Sequence, residues 1–128
     1  MYIKQLKKMV KNFWGKSVSI NLGGCNNYIS NPAKIKEFID ALCQEIHMKK
    51  FGPLHIEKFG VGDLEGYSCM QFIETSSITC HFDEKKDKTN RAFIDIFSCK
   101  EFDARKSVSF CRQFFEAKKA KMKVFIRR

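Results

Sequence analysis

No C-x-x-C pair occurs among the six cysteines, Cys25, Cys43, Cys69, Cys80, Cys99 and Cys111. Their single, scattered spacing fits neither a zinc site nor a compact disulfide framework. No metal is therefore expected, and most of these thiols read as small buried apolar side chains. No apolar stretch approaches the roughly 18 residues that span a bilayer, which excludes a membrane-spanning helix. The basic N-terminus MYIKQLKKMVKNFW lacks an apolar h-region and a cleavage site, so it is not a secretory signal. The cytoplasm is the expected compartment. Linkers, internal repeats and low-complexity tracts are also missing, which leaves one domain.

Acidic residues are in the minority, 14 against 24 Lys and Arg, giving a formal net charge of +10. Such an excess can mark nucleic-acid binding. Much of it sits at the ends, however: Lys4, Lys7, Lys8, Lys11 and Lys16 at the start, and Lys118, Lys119, Lys121, Lys123, Arg127 and Arg128 at the finish. No aromatic single-strand platform or helix-turn-helix accompanies it. A solvated surface is the reading, and nucleic acid is not an expected partner. The 128 residues suffice for a single core. Thirteen Phe against one Trp suggest that aromatic rings fill much of it.

Residues 1–15 read as a basic amphipathic helix, with Ile3, Leu6, Val10 and Phe13 at helical spacing. Residues 16–128 read as the single remaining domain. Lys16 to Leu22 alternates as a first strand, stopped by Gly23-Gly24. Asn31-Pro32 is a helix start, Asn as N-cap and Pro at the first helical position. Ile35, Phe38, Leu42 and Ile46 then give residues 32–47 one apolar face. Strands follow over 54–59 and 66–73, the second after a turn at Gly60–Asp63. HFDEKKDKTNR is a charged hairpin loop, AFIDIFSC is a strong strand over 92–98, Asp103 caps a second helix, and 121–126 closes as a strand. The order β-α-β-β-β-β-α-β predicts an α+β fold, with both helices on one face of a mostly antiparallel sheet.

The stretch IETSSITCHF, residues 73–82, breaks this regularity. As one continuous strand it would mix polar and apolar residues on both faces. A turn near Glu74 to Ser77 removes the conflict, with one strand rising to Ile73 and the next descending from Ile78. Ser76 and His81 could then face one site, joined by Ser68 on the rising strand and Cys99 beyond the next one. Cys99 shares a face with Phe93, Asp95 and Phe97. Asp95, set between two isoleucines, is expected to be paired or solvated. Phe93 and Phe97 are core by default. His47 and His55 have no partner at a telling spacing.

These residues resemble the short prokaryotic form of the S-adenosylmethionine decarboxylase family, whose members are pyruvoyl enzymes. The likeness runs from about Lys16 to Arg128. It rests on the serine turn of IETSSITCHF, on AFIDIFSC and on Ser68. Ser76 lies five residues before a His and eight after a Ser, with one Cys on the next strand.

The resemblance implies a self-cleaving proenzyme. The Ser76 hydroxyl attacks the Thr75 carbonyl, the resulting ester eliminates, and residue 76 becomes a pyruvoyl group. His81 and Ser68 match the self-processing residues, and an imidazole suits proton shuttling near neutral pH. The pyruvoyl ketone would form a Schiff base with the substrate amine and act as electron sink. Cys99 matches the catalytic proton donor. Implied substrate contacts are Glu74, Asp95, Phe93 and Phe97, with an aromatic ring on the adenine. The implied product is the aminopropyl donor for spermidine synthesis, and the implied assembly a homodimer with sheets packed together. The family's usual cleavage site is Glu-Ser; here Thr75 precedes Ser76 and the acid is Glu74. Alternatives on the same fold are a pyruvoyl ornithine or arginine decarboxylase, or a processing-dead regulatory homologue.

Overall fold

The computed structural model describes residues 14–74, 76–84 and 89–128. The helix expected over residues 1–15 therefore lies almost wholly outside the described residues, as do Thr75 and part of the charged loop. Among the described residues six strands form one antiparallel sheet: β1 (Gly15–Gly23), β2 (His55–Phe59), β3 (Gly66–Ile73), β4 (Ser76–Asp83), β5 (Arg91–Ser98) and β6 (Lys119–Arg127). Their order across the sheet is β2-β3-β4-β5-β1-β6. Among the described residues two α-helices, α1 (Pro32–Glu45) and α2 (Ala104–Phe114), accompany the sheet in an α+β fold.

The helix starts follow local chemistry. Asn31 accepts the Lys34 amide at 3.2 Å, and Pro32 occupies the first turn, where its missing N–H costs nothing. Asp103 does the same for α2, accepting the Lys106 amide at 3.0 Å. α1 ends two residues before its expected limit. His47 there takes a left-handed conformation, φ 56°, and the Met48 amide closes the turn on the Cys43 carbonyl at 2.8 Å.

Strand alternation sorts the sheet into two faces. Val18, Ile20 and Leu22 of β1, Ile78, Cys80 and Phe82 of β4, and Ala92, Ile94 and Ile96 of β5 are buried with Ile35, Phe38, Ile39 and Leu42 of α1. Aromatic rings gather at one part of this core, where Phe115 lies 4.6 Å from Phe38 and 5.5 Å from Phe82 between centroids. The remainder is mostly aliphatic, and Phe51, Phe59, Phe72 and Phe125 are exposed. Phenylalanine thus supplies less of the core than its abundance suggests. Five cysteines are buried, and Cys99 is half-buried.

The opposite face carries Ser68, Met70 and Phe72 of β3, Ser77, Thr79 and His81 of β4, Phe93, Asp95 and Phe97 of β5, and Ser17 and Ser19 of β1. Their alternation with the buried set places them there. No helix lies over this face among the described residues. Met70, Phe72 and Phe125 leave apolar surface on it. Among the described residues no helix is long and apolar enough to cross a membrane.

Candidate active site

The β3–β4 hairpin is built around a two-residue link. Ile73 pairs with Ser76, so Glu74 and Thr75 alone make the connection. The link is held from outside as well. The Glu74 amide donates to the Lys49 carbonyl at 2.9 Å, the Phe51 amide donates to the Phe72 carbonyl at 2.8 Å, and Lys50 bridges to Ile73. Buried Gln71 ties the same segment down, its amide donating to the Gly52 carbonyl at 3.0 Å.

This register decides which candidate groups meet. Ser68 and His81 are direct cross-strand partners, and Ser68 Oγ lies 2.8 Å from His81 Nδ1. Ser76, at the hairpin's other end, accepts the Cys99 amide at 3.2 Å through its Oγ. The expected convergence of four groups is therefore two pairs instead. β4 resumes at Ser76 itself, so Ser76 and His81 lie on one continuous strand with opposite phase. Five residues of strand separate them by about 16 Å, at about 3.3 Å each.

The aromatic candidates face the open side rather than the core. Phe93 stands opposite His81 and is capped by the Arg91 guanidinium, 5.6 Å from its centroid. Arg91 in turn donates to Asp83 through Nε at 2.8 Å. Phe97 stands opposite Ser77. Trp14 stacks on Phe97 at 5.6 Å and 15°, and the Arg127 guanidinium lies 5.8 Å from the same ring. Asp95 is exposed and accepts the Ser19 hydroxyl at 2.5 Å. His55 and His47 are exposed. No group of three or more His, Cys, Asp or Glu is placed to hold a metal ion among the described residues.

One charged residue departs from the solvated reading of the termini. Lys16 is only 5 % exposed, because β1 carries it in phase with Val18, Ile20 and Leu22. Its Nζ sits 4.6 Å over the Phe102 ring. Burial pulls its pKa down to about 8, with Asp103 acting the other way.

A family model described as S-adenosylmethionine decarboxylase matches residues 16–128. The chain belongs to this family. Its fold resembles the crystal structure of the adenosylmethionine decarboxylase from Aquifex aeolicus, with a TM-score of 0.71 at 17 % identity, covering 90 % of this chain and 91 % of that one. None of the curated proteins matches. As a member of the S-adenosylmethionine decarboxylase family the chain is a decarboxylase. Nothing in its sequence or fold favours ornithine, arginine or a regulatory role instead.

Proposed function

We propose that this decarboxylase cuts itself between Thr75 and Ser76, and that residue 76 becomes the pyruvoyl group on which S-adenosylmethionine loses its carboxylate. The observation supporting this reading is the Ser76–Cys99 hydrogen bond, which joins the candidate nucleophile to the main chain of the residue that carries the candidate proton donor. Ser76 is the first residue of its strand, so a break before it severs only the hairpin link. The β3–β4, β1–β5 and β1–β6 ladders still hold the two pieces together. Ser77 is less suited, since it lies inside the ladder opposite Phe72 and Phe97.

In processing, the Ser76 oxygen attacks the Thr75 carbonyl carbon, its proton leaves, and the peptide bond becomes an ester. Loss of a Cα proton from residue 76 then expels the Thr75 carboxylate, and hydrolysis releases ammonia. The residues fit the group that results. Elimination carries the Ser76 Oγ away with the Thr75 carboxylate. The Cys99 amide that donated to it then stands beside residue 76 as a donor for the ketone oxygen that hydrolysis would leave on the former Cα. The pyruvoyl group held there would supply the electron sink as the substrate loses carbon dioxide. Cys99 Sγ holds the proton for the carbon that lost carbon dioxide. Phe97 and Trp14 present rings at the same end of the open face for the adenine.

The Ser68–His81 pair reaches this site from a second copy of the chain. A proton-transfer partner must come within about 3 Å, directly or through one water, and His81 of the same chain stands about 16 Å along the strand. Packing two open sheet faces together covers the exposed Met70, Phe72 and Phe125 and sets each pair against the other copy's sheet, at whose end Ser76 begins β4. Co-expression of Ser76→Ala and His81→Ala chains tests this. Each alone stays uncut, and the mixture cuts the His81→Ala chain. A mixture that remains uncut contradicts the two-copy site.

A further inference from the structure

Lys16 is the one buried cation among the described residues, and the chemistry above does not use it. It pairs with Ser98 across β1 and β5, next to Cys99. Buried Ser98 anchors the start of the following turn by accepting the Lys100 amide at 2.9 Å and donating to Met48 Sδ at 3.9 Å. The turn then brings Phe102, itself 4 % exposed, under the Lys16 ammonium. Gly15 closes the same corner. A Cβ there would lie 2.7 Å from the Ser98 carbonyl oxygen and 3.1 Å from Cys99 Cα, so the approach is open only to glycine.

We propose that Lys16 is a positioning residue for the reaction: its ammonium, seated on Phe102, clasps the turn of residues 99–102 to β1 and fixes where the Cys99 amide and thiol stand relative to Ser76. An apolar side chain would satisfy this strand phase more cheaply, since a buried ammonium is penalised. Cation–π attraction strengthens when the cation is desolvated, which suits the Phe102 contact. Asp103, N-cap of α2, supplies the opposite charge. The other charged groups nearby point elsewhere or stay in the turn. Lys100 donates to the His47 carbonyl, Arg127 lies in the opposite phase of β6 over Phe97, and Glu101 is part of the turn. With a pKa near 8, Lys16 loses its charge within the range where the enzyme can be assayed.

The inference rests on Ser76 and Cys99 being the site, and its test uses the full chain with Lys16→Met and Lys16→Arg. Cys99 alkylation by iodoacetamide, located by mass spectrometry, reads the turn independently of processing. Lys16→Met is expected to melt no lower than wild type and to alkylate faster at Cys99. It should cleave and turn over more slowly, since a misplacement of about 1 Å can cost about 10²-fold. The wild-type loss of rate above about pH 8 should vanish in Lys16→Met. In Lys16→Arg the rate should return and the loss should move beyond the measured range, because the guanidinium does not deprotonate. Unchanged Cys99 alkylation, or an Arg variant as impaired as the Met variant, overturns the proposal. A wild-type chain that never cuts refutes the site reading instead, and the alkylation comparison still decides the clasp.

Discussion

The Ser76 hydroxyl oxygen accepts a hydrogen bond from the Cys99 amide across 23 positions of sequence, at 3.2 Å. The donor is main chain, so it survives loss of the Cys99 thiol. Cys99→Ala is therefore expected to cut itself normally and to release carbon dioxide at least 10²-fold more slowly than wild type, the scale of a lost proton donor. Denaturing mass spectrometry reads the first and carbon dioxide capture the second. Unaltered turnover would remove Cys99 from the mechanism.

Gly15→Ala should damage both stability and turnover. Its new methyl group collides with the Ser98 carbonyl and Cys99 Cα, and overpacking of this kind costs about 1–3 kcal/mol. Urea unfolding measures the loss. A neutral effect would mean that the β1–β5 corner yields without strain.

Substrate choice follows from family membership and is tested by exposure to competitors. Carbon dioxide release from S-adenosylmethionine, ornithine and arginine, measured side by side, should be confined to the first. The acid displaced to Glu74 makes this comparison informative, because Glu74 is the first residue of the hairpin link and does not adjoin Ser76.

The buried thiols make the fold sensitive to alkali. Burial raises Cys25 and Cys43 from 9.0 to about 11 and raises Cys111 further. Cys80 is raised by its interaction with the Cys69 thiol and by burial. In each case the folded value exceeds the unfolded one. Their stabilisation is complete below about pH 9, where both states keep the proton, and is lost progressively as pH rises through 11, because only the unfolded chain ionises. Lys16 acts oppositely, since its folded value near 8 lies below the ordinary 10.5, so the fold gains stability between those values. Four thiols outweigh one amine. Calorimetric melting temperatures should fall from pH 9 to pH 11, and Lys16→Met should make the fall steeper. A flat profile would contradict the burial of these groups.

Much of this architecture is written in local pattern. The alternation of KSVSINL gives β1, Asn31-Pro32 gives the start of α1, and the parity clash in IETSSITCHF gives the hairpin. The turn spread over Glu74 to Ser77 is too long, however: β4 resumes at Ser76, and it is this two-residue link that makes Ser68 oppose His81. The Ser76–Cys99 contact is not legible, because it depends on the register of β4 against β5 across a charged loop whose sequence specifies no turn type. Lys16 shows the other kind of miss. Its strand phase already groups it with Val18 and Ile20, yet counting it among terminal charges hides that. Phe93 and Phe97 likewise share phase with Asp95, which marks the open face more reliably than their hydrophobicity marks the core.

The central claim is self-cleavage at one bond, and the mass of the denatured wild-type chain tests it most directly. The account predicts two pieces, residues 1–75 and residues 76–128, the second lacking a free amine and carrying a ketone that borohydride reduces. Ser76→Ala should remain a single chain, while Ser77→Ala should still be cut. An intact wild-type chain after prolonged incubation, or a cut that persists in Ser76→Ala, would contradict it.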